Sequence, residues 1–163
     1  MEIYILRHGI AVERGTPGYK RDGDRPLTEE GVEKMRQIAK AMREMGLQFD
    51  VIFSSPYVRA KATADIVAET LGENVTLTDS LLPEANPPEL IDEINDEKPQ
   101  RVLLVGHEPD LSALISTLIC GKRNADIELK KGGLAKLTAE TLTYGKCATL
   151  NWLLTPKQLR QLG

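Results

Sequence analysis

Ile3-Tyr4-Ile5-Leu6-Arg7-His8-Gly9 is an apolar run that stops on two polar side chains and a glycine, and Val102-Leu103-Leu104-Val105-Gly106-His107-Glu108-Pro109 repeats the design late in the chain. Short apolar runs bounded by turn residues read as strands buried on both faces of a sheet. A third run, Val51-Ile52-Phe53, leads into Ser54-Ser55-Pro56-Tyr57-Val58-Arg59. Working outward from these, the spacing predicts strands near 2–7, 50–54, 75–78 and 101–106, with two more near 132–139 and 147–154. Helical periodicity fills the gaps. Val32, Met35, Ile38, Ala39 and Met42 share one face of a helix over 28–45, with Thr28 as its cap and Gly46 at its end. Further helices run from Pro56 to about Leu71, after the cap Asn86 with Pro87 in its first turn, and from Pro109. This alternation implies an α/β fold whose sheet carries helices on both faces. Thr141-Leu142-Thr143-Tyr144-Gly145 is short enough for a hairpin, so the sheet is expected to be mostly parallel with one antiparallel strand.

Length and charge narrow the function classes. A chain of 163 residues without an internal linker reads as a single domain over 1–163. The net charge of -3 argues against a nucleic-acid partner or an anionic membrane surface, so any positive potential must be local. No apolar stretch approaches spanning length and Met1-Glu2-Ile3-Tyr4 does not open a signal peptide, which gives no membrane association and a cytoplasmic expectation. Cys120 and Cys147 are too few and too distant for a disulfide framework or a zinc knuckle.

Ligands of open α/β sheets bind outside the carboxyl ends of the strands. Here three such ends carry Arg7, His8, Arg59 and His107. A neutral imidazole offers a nucleophilic lone pair, guanidinium forks match phosphate oxygens, and Gly9 admits a ligand close to the backbone. Individually, each has an ordinary reading: a solvated strand end, a surface arginine, a packed histidine. Their coincidence, with both histidines of the chain in equivalent places, points to a pocket for a tetrahedral dianion and to phosphoryl transfer. Competing phosphate chemistries lack their motifs. There is no P-loop, no arginine at phosphatase-loop spacing after either cysteine, and Asp22-Gly23-Asp24 follows Tyr19-Lys20-Arg21 in place of an apolar strand and reads as loop. The histidines have no short ligand spacing and sit beside cations, so neither a metal nor another cofactor is expected.

Leu-Arg-His-Gly near the amino terminus, Ser-Ser-Pro-x-x-Arg-Ala after the second strand and Gly-His-x-Pro late in the chain resemble the histidine phosphatase, or phosphoglycerate-mutase-like, superfamily. Within it, the small size and Asp24-Arg25-Pro26-Leu27-Thr28-Glu29-Glu30-Gly31 are most similar to SixA-type phosphohistidine phosphatases. The resemblance implies a three-layer α/β/α fold and a two-step, metal-free mechanism. In it His8 is the nucleophile, and Arg7, Arg59 and His107 hold the phosphoryl oxygens, with Gly9 beside them. Glu84, in Leu81-Leu82-Pro83-Glu84-Ala85, falls where many members place a general acid; otherwise it is an acidic loop residue. The implied partner is a phosphohistidine-bearing protein, either a phosphotransfer domain or a phosphotransferase-system protein. The alternatives are a small phosphate monoester and, less favoured, a non-catalytic phosphate-binding module. Segment 9–26 lies over the sheet edge in this reading, too short to lid a small-molecule site; its Arg14, Lys20, Arg21 and Arg25 either meet a partner or are solvated. Lys130 and Lys131 either edge the site or only precede a strand.

Overall fold

The computed structural model describes residues 1–163, in which six strands and the first four of five α-helices follow the alternation read from the sequence. The strands are β1 (Glu2–Arg7), β2 (Val51–Ser54), β3 (Val75–Leu77), β4 (Arg101–Gly106), β5 (Leu134–Ala139) and β6 (Ala148–Leu154). The helices are α1 (Glu29–Glu44), α2 (Val58–Leu71), α3 (Pro87–Glu97), α4 (Asp110–Cys120) and α5 (Pro156–Leu162). The sheet order is β3-β2-β4-β1-β5-β6. Pairing is parallel from β3 through β1, and β5 runs antiparallel to both β1 and β6, so it is the one reversed strand.

Central strands bury both faces, and alternate residues feed separate cores. Ile3, Ile5, Val102 and Leu104 pack with Leu90, Ile91 and Ile94 of α3 and Leu111, Ile115 and Leu118 of α4. Tyr4, Leu6, Leu103 and Val105 face the other way, onto Met35, Ile38 and Met42 of α1 and Ala60, Ala64 and Val67 of α2. That is the three-layer α/β/α arrangement. Thr28 caps α1 by accepting from the Gly31 amide, and Gly46 follows its end with φ 73°, where a side chain would be strained.

Three local readings change. α2 starts at Val58 rather than Pro56, because Ser55 Oγ accepts from the Tyr57 amide and closes a turn before the helix begins. Asn86 precedes α3 without a side-chain capping bond. A fifth helix, absent from the sequence reading, is held by a capping box: Thr155 Oγ1 accepts from the Gln158 amide while Gln158 Oε1 accepts from the Thr155 amide.

The topology places the chemistry. β4 lies between β2 and β1, with Arg7 in register with Gly106 and Ser54 with Val105. His8, His107 and Ser55 therefore emerge side by side, each just past a paired strand end.

Candidate active site

His8 leaves β1 with its amide bonded to Gly106 O (3.1 Å) and is 6% exposed. Its Nδ1 is 2.7 Å from Gly9 O; a carbonyl only accepts, so Nδ1 carries the proton and Nε2 the lone pair. Arg59 Nε donates toward that Nε2 across 3.4 Å. Burial, foremost, holds His8 at about 3 instead of 6.5, with the charges of His107, Arg59 and Arg7 adding and the Gly9 hydrogen bond opposing. The backbone is built around the ring. Gly9 N donates to Thr63 Oγ1 (3.0 Å), Thr63 Oγ1 donates to Arg59 O (2.7 Å), and Gly132 N reaches the carbonyls of Arg7 and His8. A Cβ on Gly9 would stand 2.7 Å from Met35 Cγ, so close packing against α1 requires glycine here.

His107 is 5.3 Å from His8 between ring centroids, and its Nε2 is 2.7 Å from Ser55 Oγ. Burial brings it down to about 4; Arg59 reinforces this, Asp22 opposes it, and Arg25 and Arg7 add to it. Its Nδ1 and the Nε of Arg7 are buried without a protein partner, while Arg7 NH1 is anchored on Leu129 O (3.1 Å). Tyr57 meets His107 edge-on at 5.2 Å and lies 5.1 Å under the Arg59 guanidinium. Arg7, His8, Arg59 and His107 thus line one open cleft of about 330 Å³, joined by Arg14, Arg25 and Lys131. A larger depression, about 690 Å³, lies at the opposite edge of the sheet around Glu2, Arg101 and Glu140 and contains neither histidine.

Arg59, only 3% exposed, is held by Asp22: NH1 donates to Asp22 O (2.7 Å) and NH2 to Asp22 Oδ2 (3.0 Å). The same carboxylate accepts two bonds from Arg25 (2.9 and 2.7 Å) and pairs with Arg14 at 3.3 Å. Burial works to raise the Asp22 carboxyl, but hydrogen bonds and charges from Arg25 and Arg59 outweigh it and hold it at about 2. Asp22–Asp24, read from the sequence as plain loop, forms a 3-10 turn strapped onto Arg59 beside the cleft, and Gly23 rests so close to Tyr57 that a Cβ would come within 2.8 Å of its ring. The strap also answers for segment 9–26. Ala11 bridges Leu27, and Arg14, Arg21 and Arg25 are all paired with Asp22 or Asp24, leaving Lys20 as the one cation of the four without a pair.

Glu84 is not brought to the cleft. It is exposed, with φ 64° and its amide bonded to Asp110 Oδ2, although neighbouring Pro83 does line the cleft. The carboxylates that line it are Glu13 and Glu108. Glu108 Oε1 also accepts the Ser112 amide, and Leu111 N bonds to His107 O, so these two first-turn amides of α4 are satisfied within the protein. Lys131 edges the cleft, while β5 begins only at Leu134.

This arrangement coincides with a family signature. The sequence model of the histidine phosphatase superfamily (branch 1) matches residues 3–85, which contain Arg7, His8 and Arg59. The chain belongs to the histidine phosphatase superfamily. An uncharacterized protein of Picosynechococcus sp. is 35% identical over 141 residues, 84% of each chain. The phosphohistidine phosphatase SixA of Escherichia coli strain K12 is 25% identical, over 98% of this chain and 97% of that one. In three dimensions the protein histidine phosphatase SixA, solved with tungstate, superposes with a TM-score of 0.83 at 24% identity, covering 98% of this chain and 99% of the other. The mostly parallel sheet with its single reversed strand is the fold shared with that structure.

Proposed function

We propose that this histidine phosphatase superfamily member hydrolyses phosphohistidine on a protein, through a phosphorylated His8. The observation that carries the reading is the fixed tautomer of His8: Nδ1–H is committed to Gly9 O, and the Nε2 lone pair faces the cleft beside Arg59. In the first step that lone pair forms a bond to phosphorus, and the P–N bond to the substrate breaks. A substrate imidazole already protonated on its other nitrogen leaves as neutral imidazole, so no proton has to be supplied. The transferring group carries its charge on equatorial oxygens, where Arg7, Arg59 and His107 act as preplaced donors. The two guanidinium charges, with neutral His107 as a further donor, let the chemistry run without metal in this reading. In the second step water attacks phosphorus, the bond to His8 Nε2 breaks, the pair returns to the ring, and both water protons leave on the product as dihydrogen phosphate. Because Nδ1 keeps its proton throughout, phosphorylated His8 is the cationic form whose neutral imidazole departs readily.

Glu84 does not line the cleft, and phosphohistidine is the substrate for which neither it nor the lining carboxylates Glu13 and Glu108 need be assigned a proton transfer. An alkoxide needs a proton from a general acid as it leaves, and the residue that the resemblance suggested for that task sits outside the cleft. The sheet-edge strap leaves the site open, as a side chain presented by another protein requires. The relative SixA is named as a phosphohistidine phosphatase, and that activity transfers here as part of the proposal. The test compares turnover of a phosphorylated phosphotransfer domain with a panel of sugar and glycerate phosphates, and looks for acid-labile, base-stable label on the enzyme that disappears in His8→Ala. Preference for a small metabolite by orders of magnitude defeats the protein substrate. Absence of label with every donor defeats the covalent step.

A further inference from the structure

Beside the catalytic cleft lies a second cavity, about 190 Å³, formed between α1, the turn at Lys130–Gly132 and the start of α5. Its floor is apolar, from Met35, Ile38 and Pro156, and all three approach a Cβ built on Gly132 to within 3.5 Å. Its rim is cationic: Lys34, Lys130, Lys131, Lys157 and Arg160, with no acidic side chain in the lining. Only Lys34 has an ion-pair partner, Glu30 at 2.7 Å just outside the cavity. Five cations around one small cavity are conspicuous in a chain of net charge -3. The two cavities also touch. Lys131 lines both, and Gly9, next to His8, lines the second.

We propose that this cavity and its rim form the docking surface for the phosphohistidine-bearing protein, taking an apolar side chain of that partner on the floor and its flanking carboxylates on the lysines and Arg160. The inference rests on the protein substrate proposed above. Charge complementarity selects an acidic partner. The apolar floor and the spread of cations over three separate elements suit the face of a folded protein. A small polyanion is held instead by convergent, buried donors, whereas Lys130, Lys131 and Lys157 are exposed. A partner that places its phosphohistidine against His8 must cover the ground on the far side of Gly9 and Lys131, and that ground is this cavity.

The experiment uses the full chain carrying Lys130→Glu and Lys157→Glu, both exposed and outside the catalytic cleft. One substrate is an acidic phosphotransfer domain phosphorylated on histidine by phosphoramidate; the other is free phosphohistidine. The expected result is a rise in KM for the phosphorylated domain of about tenfold or more, with kcat retained. Turnover of free phosphohistidine and the thermal midpoint stay unchanged, which shows that the variant is folded and its chemistry intact. Raising ionic strength weakens kcat/KM of the natural sequence on the domain and leaves the variant nearly flat. The milder Lys130→Gln/Lys157→Gln pair gives a smaller loss in the same direction.

An unchanged KM for a domain that is still turned over overturns the docking surface and leaves the protein substrate standing. An equal loss on free phosphohistidine also overturns it, because the cations then serve the reacting group. If the natural sequence turns over sugar or glycerate phosphates far better than either phosphohistidine substrate, the underlying function falls and the docking surface with it.

Discussion

Holding two imidazoles uncharged inside the fold makes this protein acid-sensitive in a way that one substitution should partly cure. His8 and His107 are 6% and 3% exposed, and their pKa values fall from 6.5 to about 3 and about 4. The folded state therefore binds neither proton at pH 5, whereas the unfolded chain binds most of both. A group whose folded pKa lies below its unfolded one contributes stability that is complete above the unfolded value and is lost as pH falls from about 6.5 toward the folded pKa. Between pH 7 and pH 5 each imidazole costs about 1.9 kcal/mol by this linkage, so the pair costs about 4 kcal/mol. That is a large part of the ~5–15 kcal/mol typical of a domain. Urea unfolding of the natural sequence and of His8→Gln at both pH values tests it. The variant should lose about 2 kcal/mol less on acidification, whatever its stability at pH 7. Equal losses would mean that His8 takes up its proton in the folded state near pH 6.5, and the neutral nucleophile would be gone. The acid limb of kcat/KM, which reports the free enzyme, should likewise lie near pH 3–4, the values held by the two histidines.

Other substitutions probe the neighbouring parts. Arg59→Ala should lower kcat and weaken vanadate inhibition together, each by about 10–100-fold, since a charge-assisted hydrogen bond is worth ~1.5–3 kcal/mol; a rate loss with vanadate affinity unchanged would remove Arg59 from the transferring group. Gly9→Ala drives a methyl to 2.7 Å from Met35 Cγ, and the urea midpoint should fall by an equivalent of about 1–3 kcal/mol, whereas Gly145→Ala, which meets no atom within 4 Å, should be nearly neutral. Glu84→Gln should leave phosphohistidine turnover within about twofold, because a protonated imidazole needs no acid to leave; a loss of tenfold or more would place Glu84 in the reaction.

Where local pattern dominates, the sequence was readable. The apolar runs ending at Arg7 and Gly106 fixed β1 and β4 to the residue, and the periodic face of α1 named Met35, Ile38 and Met42, which pack in one core. The short helix α5 escaped because Pro156-Lys157-Gln158-Leu159-Arg160-Gln161-Leu162 buries only Leu159; the usable signal was the Thr155-Pro156 start with Gln158 at capping-box spacing. Ser55 was legible as the hydroxyl ahead of a helix entry at Pro56 but not as the partner of His107, which lies 52 positions away. Asp22 was the larger omission. Nothing near it in the chain distinguishes a solvated loop carboxylate from one that clamps Arg59, and the contact exists only once α2 and the strap come together over Tyr57.

The sequence alone determined that three buried strands end in Arg-His-Gly, Gly-His and Ser-Ser-Pro-x-x-Arg, because burial and turn chemistry are properties of neighbouring residues. Only the tertiary structure decided that β4 lies between β1 and β2, which sets His8 and His107 with ring centroids 5.3 Å apart, and that Asp22, not Glu84, is the carboxylate bonded to a residue of the cleft lining, Arg59. Strand order is the outcome of packing two separate cores on opposite faces of one sheet. No short window of residues encodes which ends that packing makes adjacent, nor the burial that keeps both imidazoles neutral.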